Sequence, residues 1–216
     1  RSYSVTGVQT CALPIWDIKG RQAGMPVYQL LGGKCREAVD CYAHSSGADF
    51  AQVMESAKGY MAKGYRHIRI QVGVPGMAGY GSGRGDAKVA ALHSAPVFEP
   101  EAYLSRALKL FEIARKELGD EVELLHDIHE RVSPVQAMRF CKDVEKYRPF
   151  FIEDPVSPED IAWFRHIRAQ CTTPLAMGEL FNSPHEWTPL IHERLIDYIR
   201  IHVSQAGGVT PCRKVA

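Results

Sequence analysis

The sequence predicts an α/β fold built on a parallel sheet, and three observations carry that expectation. Short β-type runs alternate with helical patterns, the runs are apolar on both faces, and successive units lie 20 to 30 residues apart. Strands that are apolar throughout are buried on both sides, which calls for a parallel sheet covered by helices. The β-type runs are AVDCYAH (38–44), YRHIRIQV (65–72), VELLHD (122–127), PFFIED (149–154), PLAMGE (174–179) and IDYIRIHV (196–203). Helical patterns near 48–63, 100–118, 133–146, 157–169 and 184–194 fill the intervals, several opened by Ser or Pro at capping positions. Six such units close into a barrel or stay open as a doubly wound sheet, and periodicity alone does not choose between the two.

Ahead of the first run, WDIKGRQAGMPVYQLLGG (16–33) reads as a helix closed by Gly32 and Gly33, residues free to take positive φ at a helix end. The opening fifteen residues, RSYSVTGVQTCALPI, show neither helical nor strand periodicity and join Trp16 abruptly. Their longest apolar run is too short for a secretory signal. Val5 to Ile15 resembles the translation of a sequencing-library adapter, so residues 1–15 are expected to be non-native. Residues 16–36 then form a helix leading into the sheet, and 37–216 form the main domain.

Composition excludes several function classes. The formal net charge is +1 with no clustered basic face, which argues against a nucleic-acid partner. No apolar stretch approaches the roughly 20 residues that span a bilayer, so no membrane is expected. The six cysteines include no C-x-x-C pair and no short secreted framework, and read as reduced cytoplasmic thiols.

One stretch breaks the βα rhythm, the 27 residues from Gly73 to Glu99. A long Gly-rich connector in an α/β domain is usually a lid or binding loop. Its glycines at 79, 81, 83 and 85 do not spell the dinucleotide fingerprint, because Arg84 and Lys88 fall where a third Gly is required.

Three β-type runs end on an acid: Asp127 in HDIH, Glu153 in IEDP and Glu179 in GELFN, spaced by 26 and 26 residues. In a βα repeat each strand delivers its last residue to the same rim, where such folds place their sites. Two carboxylates about 4 Å apart repel by about 4 kcal/mol at an effective dielectric near 20. Three together call for a cation. All-oxygen ligation suits Mg²⁺, which keeps open positions for substrate oxygens, better than zinc.

HDIH, IEDP and GELFN on successive runs after WDIKGRQAGMPVYQLLGG resemble the barrel domain of the enolase superfamily over essentially all of Trp16 to Ala216. With RIQVGVPG, YGSGRG and YIRIH added, the pattern is similar to the mannonate dehydratase group, including its starvation-sensing protein branch. The resemblance implies a partial (β/α)₇β TIM-type barrel with strands one to six present and most of an α+β capping domain missing. It also implies Mg²⁺ on Asp127, Glu153 and Glu179, and dehydration of an aldonic acid to a 2-keto-3-deoxy acid. Removing a proton α to a carboxylate builds up negative charge that a divalent cation stabilises.

No Lys-x-Lys precedes Glu179, so the Lys base of enolase-type sites has no counterpart there. By resemblance the base is Tyr80, its pKa lowered by the Arg69 cation, and the acid that protonates the departing 3-hydroxyl is His129. His44, Glu179 and Arg200 would hold substrate. Strand alternation puts His129, two residues beyond Asp127, on the same face, while His126 and His202 read as structural. D-mannonate is the expected substrate, D-gluconate the alternative, and a non-catalytic regulatory member of the fold the rival from another class. This fragment by itself is expected to be inactive, and the full-length protein to be homo-oligomeric.

Overall fold

Six parallel strands follow one another across a single sheet in chain order in the computed structural model, which describes residues 5–74, 76 and 97–216. The strands are β1 (Tyr42–Gly47), β2 (His67–Val72), β3 (Glu123–Asp127), β4 (Phe151–Glu153), β5 (Leu175–Met177) and β6 (Tyr198–Ile199). A doubly wound sheet reverses its order at a switch point. This sheet does not, and its uninterrupted β1-to-β6 order is that of a partial TIM-type barrel.

Eight α-helices are described: α1 (Val5–Ala23), α2 (Val27–Leu30), α3 (Phe50–Ala62), α4 (Pro100–Leu118), α5 (Pro134–Val144), α6 (Trp163–Gln170), α7 (Pro184–His192) and α8 (Val209–Val215). The chain divides into two compact units, residues 41–176 and residues 1–40 with 177–216. No described helix is long and apolar enough to cross a membrane.

Within residues 41–176, each helix buries a stripe at helical spacing. α3 buries Val53, Met54 and Ala57, and α4 buries Tyr103, Leu104, Ala107, Leu110, Phe111, Ala114 and Leu118. α5 adds Ala137, Phe140, Cys141 and Val144. Local chemistry sets where helices start. The Asp49 side chain accepts from the Gln52 amide at α3, and Ser133 with Gln136 forms a reciprocal capping box at α5. α4 opens with Pro100 and stops at Gly119, whose φ is 78°.

The first strand lies four residues further along than its apolar run suggested. β1 buries Ala43, Ser45 and Gly47 and exposes the residues between them. Small size, rather than hydrophobicity, is what this strand supplies. A Cβ on Gly47 would stand 2.6 Å from Gln52 Cβ, and Ser45 Oγ donates to the Val53 carbonyl at 2.7 Å, so α3 lies directly on the strand. β6 is shorter than expected, two residues against the predicted eight, and just beyond it the Arg200 N–H donates to Met177 O at 3.0 Å.

The N-terminal expectations need correction. A helix does form ahead of Trp16, starting at Val5 and running through Pro14, where proline costs one helical hydrogen bond. The predicted continuous helix over 16–33 is broken after Ala23. Gly24 takes φ 61° and Pro26 starts the separate one-turn α2, before Gly32 and Gly33 turn the chain with positive φ. In the same unit, Trp16 Nε1 donates to Thr210 Oγ1 at 3.2 Å, and α7 carries a Ser183–Glu186 capping box.

Two glycine substitutions test the packing account in opposite directions. Gly178 has φ 137°, and a Cβ there would lie 2.8 Å from Arg200 O, so Gly178→Ala should destabilise the protein by about 1–3 kcal/mol in urea denaturation. Gly59 lies inside α3 with nothing within 4 Å of an added Cβ, so Gly59→Ala should stabilise by about 0.5–1 kcal/mol.

Candidate active site

Parallel register carries the site residues onto one face. Tyr42 pairs with His67, His44 with Arg69 and Ser46 with Gln71; Arg69 then pairs with Leu125, Leu125 with Phe151, Asp127 with Glu153, and Glu153 with Ala176. Because side chains alternate along a strand, every residue in this set shares a face, and the intervening residues face the helices. Leu125, Phe151 and Ala176 make a buried apolar layer on that face, with Tyr42 and Phe150 packed against it. Asp127 and Glu153 stand one step beyond it, at the carboxyl ends of β3 and β4.

Both carboxylates are fully buried, and Arg69 beside them is 7% exposed. Arg69 Nη1 lies 2.6 Å from Asp127 Oδ2 and 3.9 Å from Glu153 Oε2. A charge-assisted contact this short, removed from water, fixes the guanidinium on the strand-end acids. His129 reaches the same carboxylate by another route. β3 ends at Asp127, and the chain enters a turn in which His129 and Glu130 have φ of 55° and 53°. The His129 amide donates to Asp127 Oδ1 at 2.9 Å, and its Nε2 returns to Asp127 Oδ2 at 2.8 Å. The pairing of His129 with Asp127 is therefore present, but a left-handed turn makes it, and the strand alternation expected from the sequence does not extend that far.

Asp154 was not singled out from the sequence. It is 2% exposed, adopts φ 43°, donates its N–H to Ala176 O and accepts the Glu130 N–H on its carbonyl, both at 3.0 Å. It thereby ties the β3 turn to β5. Behind Asp127, on the helix side, His126 is buried between Tyr103, Phe111 and Phe140. Burial pushes its pKa down to about 4, so it is neutral near pH 7. Burial also raises the Tyr103 phenol. Of the two residues that complete this surrounding, Tyr103 belongs to no motif, and Gln71 lies in RIQVGVPG, where the R-x-Q alternation puts it on the face of Arg69.

Of the other predicted residues, three lie among the described residues and one does not. His44 lies in the middle of β1, not at its end, with its ring exposed and stacked on Tyr42 at 5.3 Å between centroids. Tyr80 lies outside the described residues. In the other unit, Glu179 is half-buried in the turn two residues past β5, and Arg200 is half-buried immediately after β6. Cys35, Cys41, Cys141, Cys171 and Cys212 form no disulfide.

Asp127 and Glu153 form a buried all-oxygen donor pair on neighbouring strands, with the Arg69 guanidinium beside them. Carboxylate oxygens gathered at strand ends fit a hard divalent ion, and a described donor pair without a thiol disfavours a soft one.

Comparison with known proteins agrees with this geometry. The family described as Enolase C-terminal domain-like matches residues 52–216. A D-galactonate dehydratase family member from Paenibacillus sp. (strain JDR-2) is 48% identical over 98% of this chain and 52% of its own length. A D-mannonate dehydratase from Caulobacter sp. (strain K31) is 45% identical over 99% of the chain and 54% of its own length. The crystal structure of an enolase from Pantoea ananatis, with bound D-gluconate and Mg, superposes with a TM-score of 0.81 at 45% identity, covering 93% of this chain and 51% of that one. The chain thus spans about half the length of the curated relatives it matches. A parallel sheet in barrel order, acids at successive strand ends and a family match over most of the sequence lead to one conclusion: the chain belongs to the enolase C-terminal domain-like family.

Proposed function

We propose that the protein carrying this chain is a Mg²⁺-dependent sugar-acid dehydratase that converts D-mannonate to 2-keto-3-deoxy-D-gluconate. The observation that carries the proposal is the pair of fully buried carboxylates, Asp127 and Glu153, on Cα partners at the ends of β3 and β4, with Arg69 and His129 both held on Asp127. Asp127, Glu153 and Glu179 would hold the ion, Glu179 following the strand after Glu153 at the same 26-residue interval. Bound there, Mg²⁺ supplies electrostatic stabilisation of the charge that develops on the substrate carboxylate.

The protein's own residues move the protons. Tyr80, as phenolate, takes the proton on the carbon α to the carboxylate, and the freed electron pair forms a double bond to the neighbouring carbon. The bond from that carbon to its hydroxyl breaks, and His129 as imidazolium gives the proton that releases water. The enol then tautomerises to the 2-keto acid, so the sum is loss of one water. The Asp127 carboxylate, 2.8 Å from His129 Nε2, orients the imidazole. Arg69 would lower the Tyr80 pKa, and His44, Glu179 and Arg200 would contact substrate. A small-molecule substrate, a homo-oligomeric enzyme and a cytoplasmic setting complete the proposal.

D-gluconate is the second reading, favoured by the Pantoea ananatis relative crystallised with D-gluconate and Mg. Incubating the purified protein with a panel of aldonic acids and measuring 2-keto-3-deoxy product separates the two. The larger kcat/KM should fall on D-mannonate. No product from any aldonic acid, with Mg²⁺ still bound, would instead identify a non-catalytic member of the fold.

Two substitutions test the roles. Tyr80→Phe should abolish exchange of the α-proton with solvent deuterium while Mg²⁺ binding persists, and retained exchange would assign the base elsewhere. His129→Asn should lower kcat by about 10²–10⁴-fold, the usual contribution of a positioned acid.

A further inference from the structure

The ladder between β2 and β3 stops early. His67, Ile68 and Arg69 pair with Glu123, Leu124 and Leu125, yet β2 continues to Val72 and β3 to Asp127. At those last residues β3 keeps its register with β4, pairing Asp127 with Glu153. Side chains bridge β2 and β3 where the ladder has ended. His126 Nδ1 meets the Ile70 carbonyl at 2.8 Å, and Gln71 Nε2 donates to the Asp127 carbonyl at 3.0 Å. Tyr103, from α4, places its hydroxyl 2.9 Å from His126 Nε2 and 3.3 Å from Asp127 O.

The donor and acceptor chemistry of these groups allows one arrangement. A carbonyl only accepts, so His126 Nδ1 carries the ring proton and Nε2 is left with a lone pair. The Tyr103 O–H then donates to Nε2, the shorter of its two contacts. This gives a directed chain from Tyr103 to His126 to Ile70, beside a second bridge from Gln71 to Asp127. Tyr103 also packs its ring on Phe98 at 5.8 Å, and Gly76, at φ 78°, lies so close to Phe98 that a Cβ there would collide with the Phe98 backbone. Gly76 and Phe98 therefore lie side by side, and the Phe98 ring lies on that of Tyr103.

We propose that Gln71, His126 and Tyr103 are positioning residues, which hold the parted ends of β2 and β3 at a fixed separation and so set where Asp127 presents its carboxylate. This rests on the reading of Asp127 as a metal ligand. In this role each acts through the Asp127 backbone or the strand beside it. Outer hydrogen bonds that orient a ligand change metal affinity by about 10–100-fold when removed. A role confined to packing would lower stability and leave the affinity of the folded protein unchanged.

The test is Mn²⁺ titration, followed by electron paramagnetic resonance, of the purified protein and four variants, each with its thermal stability measured. Tyr103→Phe deletes one oxygen and Gln71→Leu one amide, and each should weaken Mn²⁺ binding by about 10-fold. Ile167→Ala, in the fully buried core under α6, should destabilise by more and leave affinity within about twofold. Asp127→Asn should abolish binding. If Asp127→Asn does so while Tyr103→Phe and Gln71→Leu bind as the parent does, the positioning role is overturned and the metal reading stands. If the parent binds no Mn²⁺, or Asp127→Asn binds as well as the parent, both are overturned.

Discussion

Burial of negative charge at the ends of adjacent parallel strands is the constraint on which the rest of this architecture turns. Asp127 and Glu153 are fully removed from solvent on directly paired residues. An isolated ionised carboxylate in such a place is strongly disfavoured unless it is paired and hydrogen-bonded. The surroundings of Asp127 meet that demand from three directions: Arg69 from β2, and the amide and imidazole of His129 from the turn after β3. The left-handed residues of that turn, His129 and Glu130, make sense in this light, because only a chain that doubles back at once brings an amide and a ring to the same carboxylate. Strained φ values of this kind persist where surrounding contacts over-determine them.

The two faces of the sheet divide the work. On one, an apolar layer of Leu125, Phe151 and Ala176 underlies the acids; on the other, helices α3 to α6 pack with large side chains such as Phe111, Phe140 and Phe164 wholly buried. His126 shows what that helix layer does for the site. A neutral ring, buried among Tyr103, Phe111 and Phe140, replaces a missing ladder bond and leaves its neighbour Asp127 on the opposite face. Stability and chemistry thus meet in consecutive residues of one strand.

Much of this was legible in the sequence. Alternating apolar runs located all six strands, and acids closing HDIH and IEDP are the residues found side by side at the ends of β3 and β4. The failures have physical causes. β1 is built from Ala43, Ser45 and Gly47, chosen for close approach of α3, and an apolarity pattern does not register small residues. His129 obeys a turn whose left-handed residues are not glycine, so no composition signal announced it. Gln71 and Tyr103 act through hydrogen bonds across 56 and 23 residues of sequence, which no local motif encodes. Tyr80, Glu179 and Arg200 keep their proposed roles on the strength of the family resemblance and the even spacing of the strand-end acids, while His44 has moved from a strand end to mid-strand.

The central claim is that the buried strand-end acids exist to share one hard cation. Crystals of the protein grown with Mn²⁺, measured for anomalous scattering, address it directly. The account predicts one strong anomalous peak, coordinated by oxygens of Asp127, Glu153 and Glu179 at distances of about 2.1–2.2 Å, the range expected for a small hard divalent ion. A peak elsewhere, or no peak at these acids at saturating Mn²⁺, would contradict it.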